Sequence, residues 1–406
     1  MNNSSHTVQH IGPQLRSGRI LSIDIFRALT VLVMIMVNEW SGIEGLPKWM
    51  RHMAAEDDAM SFVDVVFPAF LFIVGMSIPF ALQQRMAQVN NFFQVQKHVL
   101  QRAIGLVVIG VFMVNAADGY NAAFMLVPVA AWALFSYLAA FLIWGSVSGG
   151  SALRLPWRIF GAAILVALAL LYRGGVDGAT GMTAQWWGIL GLIGWAYMLG
   201  SLMFQLTRGR VLWLMLCIAL CAAYFIAHRS AAIVAHPWLA MLFSQEGHFS
   251  HAAIVLSGCV TAMLFFDERI QRSAGYRFLM ALAFALALAL VASVLRPEFK
   301  ISKIYATPSW ALYSAASCVL IFAILYQLTD RGGRDLLPGL LAPVAANPLV
   351  AYLIPFVVGS AMQLAGWVPS AVVRSGGLGV MYGVAYSLLV ALIVKIISSH
   401  GIRLRI

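Results

Sequence analysis

Twelve apolar stretches, each close to the length needed to cross a hydrocarbon core about 30 Å thick, follow one another along the chain. They cover 20–40, 61–83, 97–115, 124–147, 155–172, 185–206, 211–227, 249–266, 278–295, 308–329, 340–363 and 379–398. In lipid each backbone polar group must find its partner within the segment, so such runs are helices rather than open sheet. Composition agrees: 62% of the 406 residues are hydrophobic and 10% are charged, against roughly 25% charged in a soluble protein. The mean hydropathy is +0.87. An all-α polytopic bundle of about twelve transmembrane helices (10–12) is expected. The fifth and eleventh stretches carry the weakest signal, the eleventh being interrupted by Pro343, Pro348 and Pro355, with Asn347 beside the second.

Lys and Arg set the orientation. With both termini in the cytoplasm, 17 of the 26 basic residues fall in cytoplasmic segments and helix ends, eight fall on the opposite side, and Arg27 lies within a helix. An excess of that sign is the positive-inside pattern. The net charge of +11 is therefore mostly a topology signal, and without a run of basic residues it does not indicate nucleic-acid binding. Residues 1–19 are expected to be a disordered cytoplasmic tail, with no basic start and apolar core of a cleavable signal, and 20–406 a single membrane domain. Cys217, Cys221, Cys259 and Cys318 all lie inside apolar stretches and read as packing residues; no metal site is expected.

Ionisable groups within spanning helices usually mark a substrate or ion path. Asp24 and Arg27, three residues apart, share a face of the first helix and can pair. Asn38 follows eleven residues after Arg27 and falls within about 20° of it at about 100° per residue. The expectation is one polar stripe running the length of that helix and facing an internal path; the alternative is a structural pair at the interface. His52 sits in the following outer loop, and Asp64 opens the second helix. An imidazole is the commonest general base near neutral pH, and a carboxylate on its second nitrogen would fix the tautomer. Asn38 offers an amide that can stabilise a developing oxyanion. The plain alternative for His52 is a solvated loop histidine.

The outer loops 41–60, 228–248 and 296–307 hold most of the remaining polar groups: Glu44, Arg51, Glu56, Asp58, His228, Trp238, Glu246, His248, Arg296 and Lys303 among them. Such a face suits a sugar, although aromatic residues also form the ordinary interfacial belt. No motif of the first six stretches recurs in the last six, as an internally repeated transporter would show.

Residues 18–83 resemble the opening of the heparan-α-glucosaminide N-acetyltransferase family and its bacterial relatives. The strings that carry the likeness are Leu21-Ser22-Ile23-Asp24-Ile25-Phe26-Arg27-Ala28-Leu29, Met36-Val37-Asn38 and Asp64-Val65-Val66-Phe67-Pro68-Ala69-Phe70-Leu71-Phe72-Ile73-Val74-Gly75. Glu246-Gly247, Lys303 with Ser309-Trp310, and Asn347 with Tyr352 extend it along the chain. The resemblance implies transfer of acetyl from cytosolic acetyl-CoA to an amino sugar, glucosamine or a terminal glucosaminide, at the opposite membrane face. On that basis His52, Asn38 and Asp64 form the catalytic set, and Asp24, Arg27, Arg102 and Asn347 meet the CoA. Glu246, His248, Lys303 and Trp310 line the sugar pocket. Three departures stand out: the interval from His52 to Asp64 is longer than the family pattern leads one to expect, Ala28 replaces a glycine after the Phe-Arg pair, and Val127-Pro128-Val129-Ala130 stands where a Gln-Arg pair is expected. The expected setting is a bacterial cytoplasmic (inner) membrane, with the bilayer and the amino sugar as partners and a homodimer as the candidate assembly. The rivals are a twelve-helix sugar transporter without CoA chemistry and a non-catalytic scaffold.

Overall fold

The structure is a computed structural model and describes residues 20–88, 91–147, 151–152, 155–269, 273–334 and 339–404. The expected tail, 1–19, lies outside the described residues. Among the described residues nine helices are long and apolar enough to cross a membrane, and three shorter apolar helices cover Val129–Trp144, Leu155–Leu171 and Pro348–Leu364. Each overlaps one of the twelve stretches, so the all-α polytopic architecture is the observed one.

In chain order the helices are α1 (Leu21–Trp40), α2 (Phe62–Gln88), α3 (Phe92–Ala117), α4 (Val129–Trp144), α5 (Leu155–Leu171), α6 (Gly188–Leu206) and α7 (Val211–His228). Two short turns, α8 (Ala231–Val234) and α9 (Pro237–Leu242), lead into α10 (Glu246–Phe266). Then follow α11 (Ala274–Phe299), α12 (Pro308–Tyr326), α13 (Leu341–Ala346), α14 (Pro348–Leu364) and α15 (Gly376–Ser399). The eleventh apolar stretch is thus two helices, parted at Asn347, whose backbone leaves the helical region immediately before Pro348. A proline removes an amide donor and restricts the residue before it, which ends the first helix there.

Helix α10 is the centre of the bundle. Every residue from Ser250 to Phe266 is buried, against α2, α6, α7 and α12. Lipid supplies no hydrophobic drive for helices to associate, so they rely on close packing, which small residues permit. Two glycines serve that end. A Cβ on Gly258 would lie 2.0 Å from the Phe72 carbonyl oxygen, and one on Gly75 would lie 1.9 Å from that of Val255. The Cys259 thiol also meets the Gly75 carbonyl at 3.2 Å. The α2–α10 crossing is therefore a backbone-to-backbone contact, and it places the start of both helices side by side.

Loop contacts sort the turns onto two faces. On one, the segment 41–61 reaches both the 300–307 loop and the 365–375 loop, where Glu44 bridges Ser375 and its carbonyl accepts from Gly376. On the other, the Asp330 carboxylate accepts from the amides of Leu21 and Ser22 at 3.2 and 3.1 Å. Helix α1 has no local side-chain cap, and this distant carboxylate satisfies its first orphan donors. Asp330 sits in a π-helical continuation of α12, Gln327–Arg331. Short strand pairs on the same face join 145–147 to 151–152 and to 403–404.

Candidate active site

Asp64 is the third residue of α2, with Ser61 just before the helix. Its Oδ2 accepts from the Ser61 amide at 3.0 Å, the Ser61 hydroxyl at 3.2 Å and the Met53 amide at 3.3 Å. An acid at this position reaching back to the residue that precedes the helix is the reciprocal arrangement of a capping box. The other oxygen, Oδ1, lies 2.7 Å from His52 Nδ1. Asp64 is almost wholly buried, whereas the His52 side chain is 39% exposed. With Asp64 as acceptor, Nδ1 carries the proton and donates, and Nε2 presents its lone pair outward. Trp310, fully buried in the first turn of α12, donates its indole N–H to the Asp64 carbonyl at 3.2 Å. It braces Asp64 from behind and does not face an open pocket.

The 300–307 loop brings Lys303 over the imidazole. Its Nζ lies 3.3 Å from Nε2 and 3.2 Å from Nδ1 of His52. The loop is tightly specified. Lys300 and Ala306, on either side of Lys303, both adopt positive φ (54° and 47°), a region non-glycine residues rarely occupy unless the surroundings hold them. Thr307 and Ser302 tie the loop internally, Ser302 N donating to Thr307 Oγ1 at 3.0 Å. Three contacts bind it to the His52 loop. Asp58 receives Arg296 Nε on both oxygens at 3.1 and 3.0 Å and the Ile301 amide at 2.8 Å, Ser302 Oγ donates to the Ala55 carbonyl at 2.8 Å, and Tyr305 donates to Glu56. Burial pushes the Asp58 carboxyl up, but the Ile301 amide and the Arg296 guanidinium outweigh it and hold the group below the usual carboxylate range. For Lys303, burial lowers the ammonium to about 8, against the upward pull of the Asp64 carboxylate.

Beside this centre, α10 contributes a row of polar groups. His248 packs against the rings of Trp195 and Trp187, with centroids 5.5 and 6.3 Å away. His251 is wedged edge-on between Phe67 and Trp310. Glu246 Oε1 lies 3.5 Å from His228 Nε2. Among the described residues, Glu246 Oε2, His228 Nδ1, His248 Nδ1, Ser250 Oγ and His251 Nδ1 are buried without a hydrogen-bond partner, as is Trp195 Nε1. Buried polar groups are nearly always satisfied, so a cluster of orphans is where a polar ligand or water belongs.

The remaining expected residues are spread more widely. Asn38 is exposed near the end of α1 on the His52 side, and among the described residues no hydrogen bond joins it to His52. At the other end Arg27 donates Nη1 to Asp24 at 3.2 Å and to the Ala345 carbonyl at 3.4 Å, and Nη2 to Ser77 at 3.1 Å. Asn347, two residues past Ala345, is buried and donates to Ser398 at 2.7 Å. These two share the neighbourhood of the α13–α14 break. Arg102 lies apart on α3, its guanidinium 5.2 Å from the Tyr197 ring centroid. The unbroken polar stripe expected on α1 is not observed. Val31 and Met34, on the same face between Arg27 and Asn38, are buried apolar residues that pack the middle of the helix into the bundle.

His251 and the Asp58–Arg296 clamp were not singled out as site features in the sequence. Opposite charges in two outer loops were the available signal for the clamp. Nothing in the spacing marked His251 as distinct from an ordinary core residue.

The fold and this cluster define a polytopic helical membrane protein with a histidine–carboxylate pair at one face. The resemblance read from the sequence is shown by comparison: residues 19–180, covering α1 to α5, match the family model described as heparan-alpha-glucosaminide N-acetyltransferase, catalytic. The heparan-alpha-glucosaminide N-acetyltransferase of Homo sapiens is similar, at 29% identity over 97 residues, 24% of this chain. That match spans 14% of the human protein's length. The family-matched region contains Asp24, Arg27, Asn38, His52, Asp64 and Arg102, while Glu246, His248, Lys303, Trp310 and Asn347 lie beyond it.

Proposed function

We propose that the protein is an acetyltransferase that takes acetyl from acetyl-CoA on the Arg27 face and delivers it to an amino sugar on the His52 face. The observation that carries the reading is the His52–Asp64 pair at 2.7 Å, lying inside the family-matched region and opening Nε2 towards the loop side. A helix of about 20 residues spans about 30 Å, so the thioester must travel most of the membrane's thickness between helices to reach Nε2.

In this reading His52 Nε2 accepts a proton from the sugar amine as it attacks the thioester carbonyl. Asp64 holds the tautomer and steadies the imidazolium, and Trp310 positions Asp64. The exposed Asn38 amide is the proposed oxyanion donor, and reaching the carbonyl requires substrate to bridge it to His52. Arg27, with Asp24 and Asn347 around it, is the proposed phosphate-side anchor; Arg102 is the second basic candidate. Glu246 and His248, with their unpartnered atoms beside Trp187 and Trp195, suit the hydroxyls and apolar face of a sugar ring. The inner membrane of a bacterium and a homodimer are the proposed setting and assembly.

The test is mass spectrometry of products formed by purified protein from acetyl-CoA and a panel of amino sugars. An acetylated sugar that depends on both substrates supports the reading. Unmodified sugar throughout the panel, with counterflow of sugar in vesicles, would replace it with transport.

A further inference from the structure

Lys303 has an unusual set of neighbours for a half-buried cation. Among the described residues it forms no ion pair with a carboxylate; its Nζ instead rests on the His52 ring. His52 Nδ1 already donates to Asp64, and Nζ, nearly equidistant from Nδ1 and Nε2 at 3.2 and 3.3 Å, stands against the face of the ring, so the Nε2 lone pair stays free to face the reaction with the ammonium beside it. A residue kept only to neutralise Asp64 would sit on its oxygens, yet these are filled by His52, Ser61 and Met53. The charged and titratable groups turned towards Lys303 are His52 from the 41–61 loop, Asp64 from α2 and His251 from α10.

We infer that Lys303 is the acid that protonates the departing thiolate, and that His52 returns to it the proton taken from the amine. The inference rests on the acetyl-transfer reading above. The amine nitrogen bonds to the acetyl carbon, and its proton passes to His52 Nε2. The carbon–sulfur bond then breaks, and the Lys303 ammonium gives a proton to the sulfur, leaving CoA as the free thiol. The imidazolium hands its proton across the Nε2–Nζ contact to the neutral Lys303 amine, restoring both groups. One amine and one thioester become one amide and one thiol, with no other reactant. The lowered pKa of Lys303, about 8, supports this role, since a thiol ordinarily titrates at about 8.5 and proton transfer between matched groups has little barrier.

The experiment compares wild type, Lys303→Met and Lys303→Arg by kcat/KM against pH, with folding checked by thermal stability in detergent. Wild type should lose activity as pH rises through about 8, where Lys303 gives up its proton. Both variants should fall by about 10²-fold, because methionine has no proton to give and arginine does not release one near neutrality. The residual Met activity should lack the alkaline limb. Arginine at wild-type level would mean that charge alone matters, and would overturn the relay. So would an active methionine variant, or a wild-type profile flat from pH 7 to 9. Each of these outcomes requires an active wild type; a wild type that makes no acetyl-sugar at any pH strikes the acetyl-transfer reading itself.

Discussion

Arg296, at the end of α11, grips both carboxylate oxygens of Asp58 at 3.1 and 3.0 Å, joining loops 238 residues apart. The pair lies at the surface and is half-exposed, so its direct contribution to stability is about 0–1 kcal/mol. Its consequence is positional: it fixes the loop that carries Lys303 against the one that carries His52.

Disrupting this clamp should therefore affect activity more than stability. Asp58→Asn and Arg296→Gln are each expected to lower turnover several-fold while shifting the melting temperature in detergent by no more than a few degrees. The double variant should lose less than the two single losses combined, because both substitutions act on the shared Asp58–Arg296 contact. Additive losses in turnover would contradict a shared role. The pH dependence has a defined sign. Because the folded-state pKa of Asp58 is depressed, its contribution is present above the ordinary carboxylate range and is lost as pH falls through the lower folded value. Mild acid down to about pH 5 should leave the clamp closed.

The His52–Asp64 pair predicts a graded series. His52→Ala should lower turnover by about 10²–10⁴-fold, the usual span for a general base. Asp64→Asn should be slower than wild type for a second reason, since the amide can present its N–H to Nδ1 and favour the wrong tautomer. Steady-state kinetics with acetyl-CoA in excess measures both. A His52→Ala enzyme with near-normal rate removes the imidazole from the reaction.

The α2–α10 crossing gives a test confined to packing. Gly258→Ala places a methyl 2.0 Å from the Phe72 carbonyl and must push the helices apart. Overpacking of this kind costs about 1–3 kcal/mol, seen as a lower melting temperature and a poorer yield of monodisperse protein. Gly359 in α14 is the control, having open space where a Cβ would go, and Gly359→Ala should leave the melting temperature unchanged or slightly raised.

Removing the long-range cap should act at the opposite face. Asp330→Ala leaves the Leu21 and Ser22 amides without an acceptor and should cost about 0.5–2 kcal/mol, the range for helix caps. Faster hydrogen exchange at the first turn of α1, with the His52 face unaffected, is the expected signature.

Hydrophobic length made the helices legible: twelve stretches meet twelve apolar helices, and the two weakest are the shorter α5 and the α13–α14 pair broken at Asn347. The His52–Asp64 partnership was also within reach, since a loop histidine followed by an acid at a helix start can close on itself locally. What could not be read was anything decided by neighbours remote in sequence. Trp310 looked like a sugar platform, but its burial against Asp64 depends on how α12 meets α2. The α1 stripe failed for the same reason, because Val31 and Met34 are needed for packing and a helical wheel does not say which turns touch other helices. Lys303 was expected near the sugar; its place on the imidazole follows from the Asp58 and Ser302 contacts, which no spacing rule contains.

Sealed proteoliposomes test the central claim most directly. Labelled acetyl-CoA is confined to the Arg27 face and glucosamine to the His52 face, and the sugar compartment is assayed for label with wild type and with His52→Ala. Acetylated sugar accumulating only on the His52 face, and falling by about 10²–10⁴-fold in the variant, is the predicted result. Wild-type vesicles that retain all label as acetyl-CoA, or a variant that acetylates as fast as wild type, would contradict the account.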